Sequence, residues 1–176
     1  MLLTAKKERP MIYHQVPDNM VGSELYPLNV LKDTHAEVYR EAIKKYENRK
    51  EVLEHLIPPL NCIWNDVLFL TGVHPSTLRK AFEKVNFRLR KLPFYEIDPE
   101  LLENGETTVY LYAGKSKWDE EFVAFDPEDI QKYNAIGDET IQYYREQYAV
   151  KKSHLAYIIR LPISCIKGQL ISLIVI

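Results

Sequence analysis

A chain of 176 residues, 46% hydrophobic and 27% charged, is long enough to bury one core and too apolar to be disordered. Its formal net charge of −2 speaks against nucleic acid as the main partner, because such binders are usually basic overall. No apolar run reaches the roughly 18–20 residues that span a bilayer, and the polar opening MLLTAKKERP does not read as a signal peptide, so a cytoplasmic protein with no membrane segment is expected.

Residues 1–10 read as a flexible leader and residues 11–176 as a single α+β domain. Met11-Ile12-Tyr13-His14-Gln15-Val16 has the make-up of a short strand, stopped by Pro17. Beyond Gly22 and Pro27, Thr34 with Glu37 forms a capping-box pattern. Tyr39, Ala42, Ile43 and Tyr46 then recur at i, i+3, i+4 and i+7, which predicts an amphipathic helix near residues 34–48. A shorter helical piece with Val52, Leu53 and Leu56 ends before Pro58-Pro59. The run Val67-Leu68-Phe69-Leu70 predicts a buried strand. Asn61, Asn65, Asp66 and His74 stand at its ends, and each needs a partner if buried, since an unpaired buried polar group costs about 1–3 kcal/mol. His74-Pro75-Ser76 opens a helix with Leu78, Ala81, Phe82 and Val85 as its inner stripe.

Strands are expected at 94–97, 107–112 and 122–125, and again at 155–161 and 170–176, where the sequence is strongly apolar. Asp98-Pro99 predicts a capped helical turn, and Asp126-Pro127 starts a helix that Gly137 stops near residue 136. Asp138 is placed as the cap of a last helix over 139–150, carrying Ile141, Tyr144 and Tyr148. Strands and helices mix without a βαβ rhythm, so the sheet should be mixed or largely antiparallel, with helices packed on it.

Complete catalytic motifs such as HExxH, GxSxG, a phosphate loop and GxGxxG are missing from the sequence. The five histidines are scattered, so no metal is expected. Cys62 and Cys165 lie in apolar runs without CxxC spacing and read as reduced core thiols in preference to one disulfide. The loop acids Asp119, Glu120 and Glu121 read as solvation. His14, near the end of the first strand, either points into a cleft or makes one hydrogen bond in the core or at the rim. Charge is segregated: residues 79–91 hold six basic residues against Glu83, and residues 118–146 hold nine acids against Lys132 and Arg145. The basic stretch suits a phosphate, nucleic acid or an acidic partner, or is simply a solvated face.

Ile12-Tyr13-His14 resembles the strand that opens ADP-ribosyltransferase-like domains, especially those of toxins that modify DNA bases. The segments 66–75, Phe94 to Leu102 and Ala156 to Ile163 are similar, in order, to that family's cleft strand, next strand and closing strand. The resemblance implies that NAD is bound as substrate, with His14 on the adenosine ribose beside Tyr13, Arg49 on a phosphate, and an unknown macromolecule as target. It also implies a catalytic glutamate on the closing strand. Here Ser153-His154-Leu155-Ala156-Tyr157-Ile158 carries no acid, leaving Glu139 and Glu146, one helix earlier, as candidates. Leu25-Tyr26-Pro27-Leu28-Asn29 also resembles part of an uncharacterised bacterial family, which implies no activity. A non-catalytic interaction module is the second reading.

Overall fold

The computed structural model describes residues 9–18, 20, 22–86, 91–103, 106–112, 120–150, 163–167 and 174–175. In chain order the strands are β1 (Ile12–Gln15), β2 (Leu56–Ile57), β3 (Cys62–Ile63), β4 (Val67–Thr71), β5 (Phe94–Ile97), β6 (Thr107–Tyr112), β7 (Glu120–Ala124), β8 (Ile163–Lys167) and β9 (Ile174–Val175). The α-helices are α1 (Leu28–Thr34), α2 (Ala36–Ile43), α3 (Pro75–Glu83) and α4 (Asp138–Val150). Seven strands form one sheet in the order β7-β6-β8-β4-β1-β5-β9, and β2 pairs with β3 alone. The pairings are antiparallel throughout. The architecture is α+β, with the antiparallel alternative chosen.

Strand β4 is apolar along its length because both of its faces are covered. Leu68 and Leu70 join Ile12, Tyr95, Ile97 and Ile130 in one core cluster. Val67, on the alternate face, joins Tyr46, Ile57, Trp64 and Tyr110 in another, against which Leu28, Ile43 and Phe69 pack. Period-two alternation thus feeds two cores from one strand. A third cluster joins α3 to α4 through Ala81, Phe82, Val85 and Ile141.

Local capping works as the sequence leads one to expect at three places. The His74 Nδ1 accepts from the Ser76 N–H at 3.1 Å and Pro75 leads α3. Asp98 accepts from the Glu100 N–H at 3.0 Å, and Asp126 from the Glu128 N–H at 2.8 Å.

Elsewhere the structure corrects the expectation. The helix predicted near residues 34–48 starts at Ala36 as α2 and gives way to a 3-10 turn over Lys44–Tyr46, while a separate helix, α1, precedes it across a break at His35 (φ −140°, ψ 63°). Thr34 does not cap the second helix; its hydroxyl donates back to the Val30 carbonyl at 2.7 Å, closing α1 instead. Residues Pro127–Tyr133 wind as a 3-10 helix, and its carbonyls close over Gly72, where a Cβ would lie 3.2 Å from the Tyr133 oxygen. Gly137, expected as a stop, starts α4: its carbonyl accepts from Ile141 N–H at 3.2 Å, and Asp138 is already helical.

The strand that closes the sheet beside β4 is β8, at 163–167. The strand expected at 155–161 lies outside the described residues, as do residues 1–8 of the expected leader and all but 174–175 of the last strand. Arg9 is tied down, pairing with Asp98 at 3.3 Å and Glu100 at 2.8 Å. Among the described residues no helix is long and apolar enough to cross a membrane.

Candidate functional site

The sheet parts between β1 and β4. β1 follows β5 along its whole length, from Ile12–Ile97 to Gln15–Phe94, and β4 follows β8 from Val67–Lys167 to Thr71–Ile163. Between β1 and β4 the register holds Tyr13 against Thr71. Next to that pair the His14 side chain does what a backbone rung would do: its Nδ1 lies 2.9 Å from the Phe69 carbonyl oxygen. A carbonyl can only accept, so Nδ1 carries the hydrogen and Nε2 keeps its lone pair.

A cavity of about 250 Å³ opens beside this parting. Its wall includes His14 and Phe69 from the two strands, Trp64 from the 3-10 turn before β4, and Val38, Ala42 and Tyr46 from the α2 side. The last three follow helical spacing, which is why one face of α2 and its 3-10 extension forms a continuous wall. Trp64 is braced from several sides. Its indole N–H donates to the Tyr46 hydroxyl at 3.3 Å, and its ring lies 4.3 Å from Phe69 and 5.7 Å from Tyr110. Besides Tyr46 and Trp64, the polar residues in the wall are His14, Glu24, Tyr26, His35 and Lys45. Tyr26 donates its hydroxyl to Glu24 and stacks on His35 at 5.6 Å. That bond holds the Tyr26 proton and pushes its pKa up.

The environment keeps His14 neutral. Burial lowers its pKa below the usual imidazole value, and the Lys45 charge lowers it further against the opposing Phe69 hydrogen bond. A neutral imidazole with its Nδ1–H occupied presents one acceptor, suited to a ligand hydroxyl or N–H.

The residues singled out from sequence separate in the fold. Tyr13 alternates to the other face of β1, where it is buried near Glu96, its hydroxyl 3.5 Å from that carboxylate, and meets His74 edge to face at 5.1 Å. Arg49 is not in the cavity wall; its Nε donates to the Lys45 carbonyl at 3.3 Å and its guanidinium lies 5.2 Å from the Tyr46 ring centre. Glu139 and Glu146 are exposed on α4, which packs on α3, and Glu146 accepts from Gln142 at 2.8 Å. Neither lines the cavity. The segment Ser153–Ile158 lies outside the described residues, and β8 itself, Ile163-Ser164-Cys165-Ile166-Lys167, holds no acid.

The two cavity residues with a formal charge, Lys45 and Glu24, were not singled out from sequence. Lys45 is one turn from Arg49 and carries the same charge signal. Glu24 lies in an irregular stretch with no periodicity to read. Cys62 is buried, which raises its thiol pKa and suits an inert core thiol. Among the described residues no group of three or more metal-binding side chains forms.

Of the four polar residues flanking the central strand, Asp66 is the best satisfied. Its carboxylate accepts from the Ile63 N–H at 3.0 Å and from the Asn29 amide at 2.6 Å, tying α1 to the turn that carries Trp64. Asp66→Ala should therefore lower stability by about 1–3 kcal/mol, measured by urea denaturation; an unchanged midpoint would show that these bonds hold nothing. Asn61 and His74 are exposed, and Asn61 takes the left-handed conformation at φ 45°. Asn65 is buried, and its Oδ1 meets no protein donor among the described residues.

Comparison of the chain with protein-family models, curated proteins and solved structures returned no match.

Proposed function

We propose that the chain is an NAD-binding, ADP-ribosyltransferase-like protein whose cavity takes one nucleoside of the dinucleotide. The observation that carries this reading is His14, set where β1 leaves β4, its Nδ1 anchored on Phe69 and its ring in the cavity wall. Its Nε2 lone pair suits a ribose hydroxyl, and Trp64, Tyr46 and Phe69 give an aromatic wall for a base. The volume of about 250 Å³ falls just below the roughly 300–1,000 Å³ usual for small-molecule pockets. It matches one nucleoside, with the rest of the dinucleotide at the open side.

In this reading the protein works in the cytoplasm, in a bacterial cell, on an unidentified macromolecular target. Arg79, Lys80, Lys84 and Lys91 are exposed and supply a basic face for nucleic acid or an acidic protein; residues 87–90 of that stretch lie outside the described residues.

Cleavage of the bond to nicotinamide calls for a carboxylate to stabilise the developing positive charge. With Glu139 and Glu146 away from the cavity and β8 without an acid, binding with slow or absent turnover is the expected behaviour. The same gap favours the second reading, a non-catalytic interaction module. Nicotinamide release by purified protein would mark an enzyme, and binding without release a degenerate one.

His14→Ala is the direct test, with two readouts. NAD binding by calorimetry should weaken roughly five- to thirty-fold, the scale of one hydrogen bond worth about 1–2 kcal/mol. Stability should also change its pH dependence. A histidine whose pKa is lowered on folding binds its proton more readily in the unfolded chain, so its contribution is complete above the unfolded value near 6.5 and is lost as pH falls below it. The variant should lose that part of the acid-side decline. Wild-type protein that does not bind NAD at millimolar concentration would overturn the proposal.

A further inference from the structure

The polar groups of the cavity are sorted along its α2 wall. His35 precedes α2 and Lys45 lies in the 3-10 turn after it, ten residues apart. At the helical rise of about 1.5 Å per residue they stand roughly 15 Å apart. Glu24 belongs to the His35 end, through its bond to Tyr26 and the Tyr26–His35 stack. His14 belongs to the Lys45 end, since the Lys45 charge acts on it.

Lys45 differs from its neighbours. Lys44 is held by Glu41 at 2.6 Å, whereas no described carboxylate lies within ion-pair distance of Lys45. Its ammonium instead sits 5.0 Å from the Tyr46 ring centre, and Arg49 approaches the same ring. Arg49 also donates to the Lys45 carbonyl, which fixes the backbone under the lysine. Lys45 is exposed, rests against an aromatic ring in the cavity wall and has no carboxylate partner among the described residues, which leaves its charge available to an anion entering the cavity.

We infer that Lys45, and not Arg49, is the anion subsite of this cavity, and that Glu24 keeps anions from the opposite end, so that a phosphate-bearing ligand lies in one direction only. Arg49 is then a positioning residue acting through Tyr46 and the Lys45 carbonyl. The inference rests on the nucleotide-binding reading for the identity of the ligand, but the charge arrangement can be tested with a simple anion.

The probes are inorganic pyrophosphate and ADP-ribose, titrated by NMR and calorimetry into the full chain. Lys45→Ala should weaken both by about tenfold or more, the scale of a lost charge-assisted bond. Lys44→Ala should stay within about twofold, and Glu24→Gln should leave pyrophosphate binding equal or tighter. Equal losses for Lys44→Ala and Lys45→Ala would reduce the effect to general surface charge and overturn the inference. So would full pyrophosphate affinity in Lys45→Ala, or weaker pyrophosphate binding in Glu24→Gln. Wild-type protein that binds pyrophosphate through Lys45 but not ADP-ribose would keep the subsite and remove the nucleotide reading. Binding of neither would overturn both.

Discussion

Trp64→Ala should lower the unfolding free energy by about 3–5 kcal/mol, the range for removing a large buried aromatic side chain. The indole is 9% exposed, packs with Tyr46, Ile57 and Val67, and forms part of the cavity wall. Its loss would leave a void between α2 and β4 and take the indole donor from the Tyr46 hydroxyl. Trp64→Phe keeps most of the ring volume and should lose less. Urea denaturation checks both; a loss below about 1 kcal/mol for the alanine variant would show that the ring does not hold the two elements together. NAD or ADP-ribose binding should fall with the same substitution, because the wall against which a base would stack is gone.

Leu70→Ala should cost about 2–5 kcal/mol. Leu70 is 1% exposed in β4 and belongs to the cluster with Ile12, Ile97, Leu102 and Ile130. These residues come from β1, β5 and two 3-10 turns, so the methyl groups removed have rigid neighbours on several sides and the void cannot easily collapse. Leu101→Ala is the control: Leu101 is 49% exposed beside the buried Leu102 and should change stability by less than about 0.5 kcal/mol. Similar losses for the two leucines would contradict the assignment of core and surface. Leu70→Met, which roughly conserves volume, should recover most of the loss.

Glu24 and Lys45 show the limits of the site that can be read before folding. Arg49 and Lys45 are separated by four residues, and one turn of helix places such residues on the same side. Spacing therefore offers both as partners for an anion. What separates them is the chain after residue 43, which tightens into a 3-10 turn over Lys44–Tyr46 and leaves Lys45 in the cavity wall and Arg49 behind Tyr46. Glu24 reaches the cavity from an irregular segment whose path is set by what packs around Leu25, which is 3% exposed in the core. Such a segment carries no period, so no pattern in the chain marks its carboxylate.

Some features were written locally. The Asp98, His74 and Asp126 caps depend on atoms two residues away, the inner stripe of α3 on its own 3.6-residue period, and the buried strand β4 on its own apolar run. Each is a short-range property, and each is legible wherever the local preference agrees with the fold. The break at His35, the glycine under the Tyr133 carbonyl and the sheet order β7-β6-β8-β4-β1-β5-β9 depend on partners far along the chain. So does the parting of β1 from β4 that places His14, still a β1 residue paired with Tyr95 of β5, in the cavity wall. Tertiary structure decided these, because strand pairing and cavity formation are settled by which distant surfaces bury one another, and that choice leaves no period in either segment alone.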